Sequence, residues 1–182
     1  MQKRLKCLLL TLVSAISQFA SGQDHEQSVF AMEGIALRRP VNVPAPVLKL
    51  LREDESVTAC RQDQTDSTII PSYWFVGSKV SLSTSVGTDL VVVPRNISGA
   101  EKRVNACLLG AHTMPFWIFR KFDNQYRLVF SGSAQVLRLL DTSTNGLRDV
   151  ETSISSTVGN TISHFRFDGH DYILADRKTT PP

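Results

Sequence analysis

Phe116-Trp117-Ile118-Phe119-Arg120-Lys121-Phe122-Asp123-Asn124-Gln125-Tyr126 reads as an apolar strand, a tight turn and the start of a returning strand. Asp123-Asn124 suits the turn because Asp and Asn tolerate the positive φ of a short hairpin loop. The stretch has an echo in Ser163-His164-Phe165-Arg166-Phe167-Asp168-Gly169-His170-Asp171-Tyr172, again a strand, Phe-Asp, a turn former and Tyr. Gly87-Thr88-Asp89 lies upstream of the first copy and Gly146-Leu147-Arg148-Asp149 upstream of the second. Two related hairpin units in one sheet system account for this pattern. Unrelated hairpins with similar turns would look alike too, and both explanations stand at this point.

Working outward, short runs rich in aromatic and branched residues recur, bounded by Gly, Pro, Ser or Asn. They are Tyr73–Val76, Lys79–Leu82, Asp89–Val93, Ala106–Leu109, Phe116–Phe122, Tyr126–Phe130, Val136–Leu140, Val150–Ser155, Ile162–Phe167 and Tyr172–Leu174. A mainly β, antiparallel fold is expected, with α+β as the variant. Val150, Thr152 and Ile154 alternate with Glu151, Ser153 and Ser155, which predicts one wet face, whereas the unbroken apolar run Asp89–Val93 predicts a central strand. Pro46 is placed to open one short N-terminal helix ending near Glu55, with Val47, Leu48, Leu50 and Leu51 on one face.

The beginning of the chain has the layout of a cleavable signal peptide over 1–22: Lys3, Arg4 and Lys6, then the apolar Leu8–Ile16, then Ala20-Ser21-Gly22. Its apolar run is broken by Thr11, Ser14, Ser17 and Gln18, too polar for a span of about 20 apolar residues. A flexible arm is expected over 23–43, one β-rich domain over 44–176 and a disordered tail over 177–182. The leader holds three of the 20 basic residues and none of the 17 acidic ones, so the remainder balances at 17 against 17. That balance argues against nucleic acid as a partner, and no membrane span is expected after cleavage. A periplasmic or secreted location follows from the leader. In that oxidising setting Cys60 and Cys107 are expected to form one disulfide, free thiols being the rival reading.

Chemistry-bearing motifs are few. Asp141-Thr142-Ser143-Thr144-Asn145-Gly146-Leu147-Arg148-Asp149 places oxygen side chains at Asp141, Ser143, Asn145 and Asp149 with Gly146 at the sixth position, the spacing of a calcium loop. Thr152 stands where a bidentate Glu belongs, so a structural turn is the better reading and no cofactor is expected. His25, His112, His164 and His170 make no paired metal-ligand spacing, and no Gly-x-Ser-x-Gly elbow or phosphate loop occurs. His112, Trp117, Tyr73 and Trp74 are the candidate partner-binding residues, with core burial as the alternative for the aromatics.

Cys107–Arg120, containing Pro115-Phe116-Trp117-Ile118-Phe119-Arg120, and Asn145–Val150, containing Asn145-Gly146-Leu147-Arg148-Asp149, resemble uncharacterised exported bacterial proteins with the same two strand motifs. The resemblance covers roughly residues 70 to 175 and implies a structural family without importing a chemistry. The second segment also distantly resembles the calcium loops of FG-GAP repeats, at Asp141, Asn145, Gly146 and Asp149. The expected function is therefore a non-enzymatic exported protein that binds another protein or an envelope component. An inhibitor or immunity factor inserting Gly110–Pro115 into a hydrolase is one alternative, and a hydrolase with a dispersed site is the other.

Overall fold

A computed structural model describes residues 28–32, 37–38, 40–62, 71–83, 88–95, 107–110 and 112–182. The expected leader, His25 and parts of the arm lie outside the described residues. The chain runs β1 (Val29–Ala31), β2 (Pro40–Val41), α1 (Ala45–Leu51), α2 (Glu55–Gln62), a 3-10 turn (Ser72–Trp74), then β3 (Phe75–Val80) and β4 (Asp89–Pro94). It continues through β5 (Met114–Phe122), β6 (Gln125–Ala134), β7 (Val136–Thr144), β8 (Leu147–Ser156), β9 (Gly159–Phe167) and β10 (Tyr172–Thr180). The fold is mainly β, with two antiparallel five-stranded sheets. The first has the order β2-β3-β4-β5-β6 and the second β1-β7-β8-β9-β10. Each is a four-stranded meander widened by one strand from the arm.

Turn chemistry explains the meanders. Asp123 (φ 47°) helps close the β5–β6 hairpin, and Asn145 (φ 50°) with Gly146 (φ 80°) closes β7–β8, the positive φ pair of a type I′ turn. The sheets exchange chain at one residue. Gln135 separates β6 from β7, and its side-chain amide both donates to the Ser155 carbonyl and accepts from the Ser155 N–H, at 2.8 Å each. That amide pins the corner against β8.

Burial gives three layers. Phe30, Val91, Val93, Phe116, Ile118, Leu137, Leu139, Val150 and Phe167 belong to the core between the sheets. Val47, Leu51, Val57, Trp74, Phe75, Leu90, Val92, Trp117 and Phe119 form a second core under α1 and α2, on the other face of the first sheet. Neighbouring residues of β4 and β5 thus enter opposite cores, which explains why these strands are apolar without alternation. Phe75 and Trp117 meet edge to face at 5.6 Å in the helical layer. Cys60 of α2 and Cys107 stand at disulfide distance, with Cα atoms 5.4 Å apart.

Several expectations are corrected. The single helix is two: Asp54 accepts a hydrogen bond from the Ser56 N–H at 3.1 Å, capping α2 where one helix was expected to end. The arm holds β1 and β2, because Phe30 enters the inter-sheet core at 1 % exposure and Val41 pairs with Gly77. The tail is strand up to Thr180, since Lys178, Thr179 and Thr180 pair with Ile162, Thr161 and Asn160. Tyr73-Trp74 is a 3-10 turn, so the first two strand runs merge into β3, and Cys107–Leu109 is turn instead of strand.

Candidate functional site

The second sheet is wider than its cover. Along β10 only Tyr172 is buried. On the inner face of β8–β10, where the first sheet recedes, lies a cavity of about 320 Å³. Phe130, Gly132 and Ser133 of β6 form one wall, and Thr152, Ile154, Thr161, Ser163, Phe165 and Arg177 the other. Phe130 and Phe165 meet edge to face at 5.0 Å on its apolar side.

A one-residue irregularity decides what faces this cleft. On β10, Tyr172 pairs with Phe167 and Leu174 with Phe165, but the register shifts between Leu174 and Asp176. Strict alternation from Tyr172 would turn Asp176 inward. The bulge at Ala175 instead sets Asp176 opposite His164 and Arg177 opposite Ser163, turning the cation in and the carboxylate out. Arg177 Nε donates to Ser163 Oγ at 3.1 Å, which fixes the guanidinium plane. Among the described residues no acceptor meets its two terminal nitrogens. Thr152, only 8 % exposed, lines the same cleft without a hydrogen bond from its hydroxyl to any described residue.

The outer face of the same strands carries a transverse row. Arg138, Glu151, His164 and Asp176 are directly opposed across β7, β8, β9 and β10. Arg138 Nη1 donates to Glu151 Oε1 at 2.7 Å, His164 Nε2 lies 3.0 Å from Glu151 Oε2, and His164 Nδ1 lies 3.8 Å from Asp176 Oδ2. Lys178 Nζ closes the row at 3.4 Å from Asp176. The two carboxylates address opposite ring nitrogens, so they do not converge on one ion. Among the described residues no group of three or more His, Cys, Asp or Glu is arranged to hold a metal.

The other sequence-derived candidates scatter. Asp141 is exposed and faces Arg148 at 3.6 Å, and Asn145 donates its side-chain amide to the Phe167 carbonyl at 2.8 Å. Asp149 is buried, and its Oδ1 has no partner among the described residues. The loop spacing thus serves a hairpin. Asp141, Ser143, Gly146 and Arg148 do line a shallow groove of about 480 Å³ together with Ser81, Leu82 and Ser83. The segment that follows β3 and the β7–β8 hairpin therefore lie side by side.

Trp74 and Trp117 are 2 % and 0 % exposed in the helical core, which corrects their reading as partner anchors. Tyr73 and His112 are exposed. Sequence reasoning missed Arg177, Ser163, Glu151 and Asp176, and only the Thr161-Ser163-Phe165 alternation hinted at an inward polar face.

Two tyrosines mark the ends of the hairpin units. Burial, then the charge of Asp89, raises the Tyr126 phenol above its ordinary range. Burial, then Asp149, raises that of Tyr172 further, and its hydroxyl donates to the Arg148 carbonyl at 2.6 Å. Among the described residues no helix is long and apolar enough to cross a membrane. Compared with models of known protein families, with curated proteins and with solved structures, the chain matches none.

Proposed function

We propose that this is an exported, non-enzymatic binding protein of the periplasm or envelope, which takes its partner in the cleft between β6 and β8–β10. One observation carries the reading: a concave wall of hydroxyls and aromatic rings, with a fixed guanidinium whose terminal nitrogens meet no described acceptor, on the side the first sheet leaves uncovered. Binding sites are concave, largely apolar surfaces with a few convergent polar groups. The geometry at His164 supports a role without catalysis. Its Nε2 is engaged by Glu151 at 3.0 Å and its Nδ1 faces Asp176 at 3.8 Å, so carboxylates, and no described Ser, Thr or Cys side chain, stand at the ring. A Cys60–Cys107 bond, as export would permit, ties down the helical layer away from the cleft.

The test is affinity capture from envelope extract with the full chain, expressed with its leader, against a Thr161→Trp variant, whose side chain shares the inward face with Ser163 and Phe165 and fills the cleft. A partner held by the wild type and lost by the variant, with melting temperature unchanged, supports the reading. A partner held equally by both, or none held by the wild type, overturns it.

A further inference from the structure

We infer that the cleft recognises a single carboxylate carried on an apolar body, the carboxylate lying in the fork of Arg177 and the body against Phe130 and Phe165. The inference rests on the reading of the cleft as a binding site and specifies what enters it. Four observations lead to this chemistry.

The lining has one charged side chain, Arg177, and no acidic one, so it matches one negative charge. Ser163 Oγ, held in a residue 5 % exposed, occupies Nε and leaves the paired terminal nitrogens as a planar two-point donor, the shape that a carboxylate meets with both oxygens. Thr152 supplies a buried hydroxyl from β8, free to donate to the same group. One step along β9 the lining turns apolar. Phe165 shares the inward face with Ser163, roughly 7 Å away by strand geometry, and it stacks edge to face on Phe130 beside Ile154. Anion and apolar body are thus spaced along the strand direction. The bulge at Ala175 makes the arrangement specific to this sheet, because it alone places Arg177 inside and sends Asp176 to His164 on the far face.

The probes are 4-phenylbutanoate, its neutral isostere 4-phenylbutanamide, and inorganic phosphate, measured on the full chain by calorimetry and amide chemical shifts. The acid is expected to bind the wild type at least about tenfold tighter than the amide, the scale of one hydrogen bond to a charged group. Shifts should centre on Thr152, Ser163, Phe165 and Arg177. Arg177→Gln should remove the preference for the acid while leaving the melting temperature unchanged. Equal affinity for acid and amide, or a preference surviving in Arg177→Gln, overturns the carboxylate and leaves the cleft as a neutral site. Displacement of the acid by phosphate at equal affinity overturns the apolar body. Binding of neither organic probe overturns the inference, while capture by the wild type and its loss in Thr161→Trp decide the broader reading separately.

Discussion

The two sheets have the same plan, a four-stranded meander with one strand added from the arm, yet they are covered differently. Every residue of β4 is buried, because one face meets the second sheet and the other meets α1 and α2. On β10, the last strand of the other meander, burial stops after Tyr172. The difference lies in composition: Leu90-Val91-Val92-Val93 has no side that tolerates water, whereas Asp176-Arg177-Lys178-Thr179 has none that requires cover. Burial of apolar area stabilises one sheet, and uncovered polar groups leave the other available for recognition.

The buried carboxylates repeat the contrast. Asp89, on the second strand of the first meander, accepts from the N–H groups of Leu82 (3.1 Å) and Lys121 (2.9 Å). Asp149, on the second strand of the other, keeps Oδ1 without a partner among the described residues. A satisfied buried group rigidifies its surroundings, and an unsatisfied one leaves desolvation uncompensated.

Substitution can break this comparison most forcefully at Trp117. Trp117→Ala should lower stability by about 3–5 kcal/mol in urea unfolding, because it opens a cavity in the helical core. Leu174→Ala, at a residue 48 % exposed, should stay within about 0.5 kcal/mol. Similar losses at both positions would erase the distinction between the sheets. Next comes the Cys60→Ser, Cys107→Ser pair, expected to lose about 2–4 kcal/mol if the bridge closes the unfolded chain. Two alkylatable thiols in the untreated protein would show that it does not.

Tyr172→Phe sharpens the comparison through pH. The folded-state pKa of Tyr172 is raised, so its contribution is complete below the ordinary phenol value of about 10 and is lost as pH rises beyond it. The variant should be less stable at neutral pH by about 1 kcal/mol, for the lost bond to Arg148, and should decline less steeply under alkali. An unchanged alkaline slope would mean that the phenol is not buried against Asp149. The smallest loss among the polar substitutions belongs to Glu151→Gln in the outer row. It should change stability by less than about 1 kcal/mol, because Arg138 and His164 are partly solvated.

Much of the architecture was legible where turn chemistry and apolar runs agree. Asp123-Asn124 and Asn145-Gly146 mark two hairpins, and the echo between Phe116–Tyr126 and Ser163–Tyr172 falls on β5–β6 and β9–β10, one in each sheet. The arm strands were not legible, because three residues around Phe30 and two around Val41 carry no period. The end of β10 read as a tail because Asp176-Arg177-Lys178 resembles any solvated terminus. Arg177 was illegible for a sharper reason: its inward aim depends on a bulge, and alternation alone would have chosen Asp176. Aromatic residues such as Trp117 suit a core or an interface equally until a second layer is known to cover their face.

Residue-resolved amide hydrogen exchange of the free protein tests the division between the sheets most directly. Amides of Leu90–Val93 in β4 should exchange only through global unfolding, while those of Asp176–Thr180 in β10 should exchange by local opening, far faster and with little dependence on mild denaturant. Protection of β10 equal to that of β4 would contradict the account.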